Sequence, residues 1–268
     1  LTLEEVNKIK KEHPTFIVLA QKMLEKEKPV FLYTSPKEAA LAAISTKGFL
    51  DNQYGDNYKI ISIGTSPAPI MEVMSAIGSD VVFLPISSLN KYINPSEGKS
   101  EELDISNYPN IQTALEYLKT KGVDENSTKF NIVTDYCSTG TTLFLAKELL
   151  LQYNKVPKEK LGKREVQTLL RAGIDFDENI MKKKPLINID TVLGAVSDMT
   201  HQRYEYISNV PHFHIDDSQN LQEGCISSKD KTNEELFKEF DNYSTPLARA
   251  FNLCALNEVL NFEAQKQA

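Results

Sequence analysis

Apolar residues recur at roughly helical spacing over positions 3–28, at Val6, Ile9, Phe16, Leu19, Ala20 and Met23, and Pro14 interrupts them. The spacing predicts a short helix, a break and a second helix. Residues 29–33, Pro-Val-Phe-Leu-Tyr, read as a short strand. Ser35, Pro36 and Glu38 then supply an N-cap, a first-turn proline and a capping-box glutamate, opening a helix that ends near Gly48. An apolar strand over 59–64 ends in Gly64, a tight loop covers 65–69, and a helix follows over 70–77. Positions 81–86 are a third apolar run. Continuous apolar strands alternating with helices predict a parallel sheet covered on both faces.

From 87 to 109 the chain turns polar and loses its period, and a stretch of that length is either functional or disordered. A helix over 111–121 precedes a strand that starts at Phe130 and runs toward Asp135, and a further helix covers 144–153. The lysine-rich connector at 155–172 reads as helical, 186–192 as a strand, and 194–200 as a stretch rich in glycine and hydroxyls. A last strand falls within 210–217, and helices over 233–243 and 246–264 close the chain. With no repeat and no clean linker, the expectation is one α/β domain over 1–268. Its core, 29–200, is a central, mainly parallel sheet with helices on both faces, and 1–28 and 201–268 form a helical cap or hood.

The chemistry concentrates where the strand ending at Asp135 meets Tyr136-Cys137-Ser138-Thr139-Gly140-Thr141-Thr142 and the next helix. A loop at the carboxyl end of a parallel strand faces the crevice where open α/β sheets bind ligands. The helix behind it directs backbone N–H groups and the positive end of its dipole at that loop. Gly140 permits close approach of an anion, and Ser138, Thr139, Thr141 and Thr142 add hydroxyl donors. Asp135 would repel a phosphate in direct contact but suits neighbouring sugar hydroxyls. Together these residues ask for a 5-phosphoribosyl ligand. The bland alternative is an ordinary helix cap, which needs one hydroxyl rather than four.

This passage resembles the phosphoribosyl-diphosphate signature of type I phosphoribosyltransferases, in which apolar residues and two adjacent acidic residues precede a Thr-Gly loop entering a helix. Aligned on Thr139 and Gly140, Asp135 stands at the second acidic position and Thr134 at the first. The resemblance implies a Rossmann-type fold and the transfer of phosphoribose to or from an acceptor. It implies Asp135 as the catalytic-site residue on the ribose, Ser138, Thr139, Gly140, Thr141 and Thr142 on the 5′-phosphate, and Gly64, Thr65 and Ser66 on the diphosphate. It also implies Mg²⁺ as cofactor, and a covering loop for which residues 87–109, with Lys91 and Lys99, are positioned. On the residues alone, Ser66-Pro67 is equally a helix cap with a first-turn proline. A non-catalytic sensor of a phosphorylated sugar or nucleotide, or an interaction module on the same fold, are the competing classes.

Composition narrows the partner. With 30 Lys+Arg against 37 Asp+Glu the net charge is −7, which excludes a generally basic surface for nucleic acid or an acidic membrane. The expected partner is a small phosphorylated sugar or nucleotide, with room for a homodimer. Cys137, Cys225 and Cys254 are three, widely spaced and without a CxxC pair, so neither a disulfide framework nor a thiolate metal site is expected. No apolar run of about 18 residues is present. The charged start reads as a helix rather than a signal peptide, and a cytoplasmic location is the expectation. His212, His214 and Asp216 alternate on one strand face but read as strand-end polar residues rather than metal ligands, with Asp217 beside them. His201 as an acid–base group and Cys137 as a nucleophile rank below a solvated loop and a buried filler.

Overall fold

The computed structural model describes residues 1–31, 35–64, 67–86, 89, 104–135, 141–161, 166–171, 191–196, 212–213, 225–226, 228–243 and 245–267. Helices α1 (Leu3–Glu12) and α2 (Pro14–Phe31) meet at His13, so the break falls where Pro14 predicts it. Helix α1 opens with a capping box: the Thr2 N–H donates to Glu5 at 2.7 Å, and the Thr2 hydroxyl accepts from the Glu5 N–H at 3.2 Å. Helix α3 (Pro36–Tyr54) opens with the anticipated box, in which Ser35 and Glu38 exchange bonds of 2.8 and 3.2 Å.

Two expectations fail in this region. The strand placed at 29–33 is not one, because Pro29, Val30 and Phe31 complete α2; residues 32–34 lie outside the described residues. A short apolar run has no period of its own and takes the conformation of the helix it extends. Helix α3 also runs past Gly48 and ends at Gly55, whose φ of 60° is the left-handed conformation that glycine tolerates. Gly48 is an exposed interior position of that helix.

Strands β1 (Tyr58–Ile63), β2 (Val81–Leu84) and β3 (Phe130–Thr134) form an all-parallel sheet in the order β2-β1-β3. Helix α4 (Ala68–Ala76) connects β1 to β2, α5 (Pro109–Thr120) lies between β2 and β3, and α6 (Thr141–Gln152) follows β3. Alternation along the strands sends side chains into two separate cores. Ile61, Ile63, Val82, Leu84 and Val133 pack with α5 and α6 through residues such as Leu115, Leu118, Leu145 and Leu149. Helix α7 (Asn233–Asn242) joins that layer through Leu236 and Phe240. It is held to α5 by Asp241, which accepts from the Tyr117 hydroxyl at 2.8 Å and from Lys121 at 2.7 Å.

The opposite face carries Tyr58, Ile60 and Ile132 against α4, α3 and helix α8 (Pro246–Gln267). Val6 of α1 and Ile17 and Leu24 of α2 belong to the same core, and Phe251 of α8 is the largest fully buried side chain among the described residues. Helices from both ends of the chain are thus part of one covering layer.

The connector at 155–172 is not the expected helix. A single 3-10 turn spans Lys158–Lys160, Leu161 bridges to Asn131, and Val166–Arg171 is strand β4, parallel to β5 (Thr191–Val196). Lysine content suggests a helix, but strand pairing decides the conformation of Val166 to Arg171. Gly194, the first residue of the stretch rich in glycine and hydroxyls, lies inside β5, and of the strand expected over 186–192 only 191–192 are described. Within 210–217 the described strand is β6 (His212–Phe213), parallel to β7 (Cys225–Ile226). His201, His214, Asp216, Asp217 and Cys137 lie outside the described residues. Cys254 is buried in α8, and burial pushes its thiol up to about 11, which makes it inert at neutral pH. No helix among the described residues is long and apolar enough to cross a membrane.

A Cβ built on Gly48 meets nothing within 4 Å. Gly48→Ala therefore removes the entropic cost of a mid-helix glycine without a clash, and stability should rise by about 0.5–1 kcal/mol. Urea unfolding checks this through a higher midpoint at unchanged slope; a lower midpoint would mean that the helix does not run through position 48.

Candidate functional site

Strand β1 sends its chain into α4 on one face of the sheet, whereas β3 sends its chain into α6 on the other. The two strands are neighbours, paired in register from Tyr58–Phe130 to Ser62–Thr134. Adjacent parallel strands whose connections depart to opposite faces leave a crevice at their carboxyl ends, the topological switch point at which open α/β sheets take ligands. Gly64 and Asp135 stand at that edge, immediately past the ends of β1 and β3.

The candidate residues divide in two. Asp135 is 7% exposed, at the mouth of the α5/α6 side, Gly64 follows β1 with φ 58°, Thr141 opens α6, and Thr142 is half-buried in its first turn. Thr65, Ser66, Ser138, Thr139 and Gly140 lie outside the described residues, as do 87–88 and 90–103, which include Lys91 and Lys99.

The two helix starts differ in what they offer an anion. Helix α4 begins at Ala68 with Pro67 itself as the cap residue, one position later than a Ser66 cap would place it, and with no side-chain cap bond. Pro67 and Pro69 carry no N–H, and those of Ile70 and Met71 donate to the Pro67 carbonyl at 3.1 and 3.0 Å. The Gly64 N–H donates to the Leu84 carbonyl at 2.9 Å, extending the β1–β2 ladder. Of residues 64 and 67–71, this leaves Ala68 with the one backbone N–H not committed to those two carbonyls. Helix α6 opens with Thr141-Thr142-Leu143 and has no proline.

Charge is also unevenly placed. Lys59 donates to the Lys121 carbonyl, Lys129 pairs with Asp80 at 2.8 Å, and Lys160 donates to the Thr128 carbonyl at 2.7 Å. All of these lie at the amino edge of the sheet, opposite the crevice. Positions 60–80 contain neither lysine nor arginine.

Mg²⁺ takes hard oxygen ligands, carboxylates foremost. Here β3 offers Asp135, but its neighbour Thr134 points to the opposite face, is 1% exposed, and shares that face with Phe130 and Ile132 against the helical layer of α3, α4 and α8. Among the described residues no group of three His, Cys, Asp or Glu could hold a metal. Among the described residues, the donor set around Asp135 does not suit a resident Mg²⁺.

Sequence reasoning passed over Ser62, the register partner of Thr134. Its side chain is fully buried, and its hydroxyl has no hydrogen-bond partner among the described residues. The available signal was a single hydroxyl inside the apolar run Ile60-Ile61-Ser62-Ile63.

Because position 134 faces a helix-covered layer, an acidic side chain there would have to be buried without a partner. Thr134→Asp should lower stability by at least about 2 kcal/mol, read as a fall in the urea midpoint; full stability would mean that residue 134 faces the open crevice. Comparison of the chain with protein-family models, with curated proteins and with solved structures finds no match in any of the three.

Proposed function

We propose that this chain binds a 5-phosphoribosyl ligand at the carboxyl ends of β1 and β3 and is a phosphoribosyltransferase-like protein. The observation that supports this reading is the switch point itself. Gly64 and Asp135 immediately follow neighbouring strands whose helices lie on opposite faces, so that the two strand ends border one crevice. In this reading Asp135 accepts from ribose hydroxyls, while the amides and hydroxyls from Ser138 to Thr142 hold the 5′-phosphate at the start of α6. As an enzyme the protein would transfer phosphoribose to or from an acceptor, and its contribution would be positioning and electrostatic support of a positively charged ribose ring.

A second reading, a non-catalytic binder on the same fold, is favoured by one observation. The position that carries the family's first carboxylate is Thr134, buried against helices rather than open to the ligand.

Calorimetry with ribose 5-phosphate and inorganic phosphate tests the site. Asp135→Ala should weaken ribose 5-phosphate about tenfold and leave inorganic phosphate within about twofold, since only the sugar contacts the carboxylate. Equal losses for both would remove Asp135 from the ribose role. Absence of binding by either ligand would sink the reading. Release of diphosphate from phosphoribosyl diphosphate in the presence of candidate bases separates the enzyme from the binder.

A further inference from the structure

We infer that the outward face of α2 is the docking surface for a second copy of this chain, with the two α2 helices paired antiparallel about Leu19.

Helix α2 is apolar on two faces. Ile17, Ala20 and Leu24 recur at helical spacing on the face turned to the core and are buried there. Phe16, Leu19 and Met23 recur at the same spacing on another face and are 52, 59 and 38% exposed. Among the described residues, the exposed large hydrophobic side chains are these three together with Leu1, Val18 and Leu41. Single exposed apolar residues are ordinary, whereas a stripe in helical register, backed by a buried one, marks a surface that packs against something. A helix covered on one side needs only one apolar face.

The charges at the two ends of the stripe select its occupant. Glu12, Phe16, Leu19, Met23 and Lys26 follow one another at intervals of four, three, four and three residues, the spacing of a coiled-coil seam, and all five are exposed. Glu12 closes α1 beside the start of α2, and Lys26 stands toward the other end of α2. The seam thus begins with a carboxylate and finishes with an ammonium group. A two-fold interface requires a surface complementary to itself, and antiparallel pairing about Leu19 makes this one so. Leu19 meets its own counterpart at the axis, Phe16 of each copy meets Met23 of the other, and Glu12 of each meets Lys26 of the other. Aromatic against thioether is a favourable contact, and opposite charges at both ends fix the direction. Parallel pairing would set like charges against each other at both ends. A partner carrying one sign of charge would complement only one end.

From Phe16 to Met23 the stripe covers about 10 Å of helix. A contact of that size lies at the weak end of protein interfaces, so the dimer is reversible, with a Kd on the order of 10–100 µM.

Sedimentation equilibrium on the full chain tests the pairing, from about 1 µM to about 500 µM. The expected result is a monomer–dimer equilibrium that Leu19→Glu and Met23→Glu each abolish. Because Leu19 lies outside the core, Leu19→Glu should keep the urea midpoint measured near about 1 µM, where the parent chain is itself monomeric. Glu12→Lys and Lys26→Glu should each weaken the dimer about tenfold, since two attractive pairs become repulsive, and the double exchange should restore it to within about threefold. A chain that stays monomeric at every concentration would mean that the face belongs to another partner, and the inference would be overturned. It is equally overturned by a dimer that survives Leu19→Glu, or by one that the double charge exchange does not restore.

Discussion

A central strand that is buried on both faces organises the molecule. Ile60 and Ile61 are adjacent on β1, point in opposite directions, and are both fully buried. Each therefore requires its own covering layer. Helices α5, α6 and α7 provide one and α1, α2, α3, α4 and α8 the other. Burying side chains of this size contributes about 1.5–3 kcal/mol apiece, so neither layer is dispensable to a domain of ordinary stability. The demand for two layers also explains the route of the chain. Helix α4 must go to one face and α6 to the other, and a crevice opens between the strands they follow.

The two edges of the sheet are used differently. At the amino edge, lysines and carbonyls satisfy one another: Lys59 with the Lys121 carbonyl, Lys129 with Asp80, and Lys160 with the Thr128 carbonyl. Asn154 adds to this closure by donating to the carbonyls of Leu115 and Val123, tying the end of α6 to α5 and its exit turn. The carboxyl edge, by contrast, is where β1 and β3 leave the sheet into helix starts. Closure at one end and divergence at the other leave the second as the open edge of the sheet. An acidic chain can then bind an anion there, because local amides and a helix dipole do not depend on net charge.

Much of this was legible from the residue pattern, for identifiable reasons. Ser35, Pro36 and Glu38 announce a helix start by local hydrogen-bond chemistry, and Pro14 announces a break by the donor it lacks. The runs at β1, β2 and β3 are apolar because both sheet faces are covered, and they read as strands between turn residues. Where the decision was tertiary, the pattern misled. Pro29 to Phe31 are apolar but extend a helix, Gly48 is tolerated in a long helix, and Val166 to Arg171 pair with a strand some twenty residues on. At the site, Asp135 and Gly64 were visible as strand-end residues. The meeting of their two strands was not, because it depends on the order β2-β1-β3, and no local signal encodes sheet order.

The departure at Thr134 then takes on a structural sense. Successive residues of a strand face opposite ways, so positions 134 and 135 cannot both point into one covered layer, and here 134 belongs to the layer of Phe130 and Ile132. Beside it on β1 is Ser62, whose hydroxyl is already without a partner among the described residues. A carboxylate added to that face would bring a second unsatisfied group, and a charged one, into a setting that cannot solvate the first. Threonine fills the strand end at far smaller desolvation cost and suits β structure through its branched Cβ. Threonine at 134 and the depth of the covering layer are therefore a single feature: with α3, α4 and α8 packed closely over the end of β3, the side chain at 134 faces helices, while Asp135 takes the other face of the strand end.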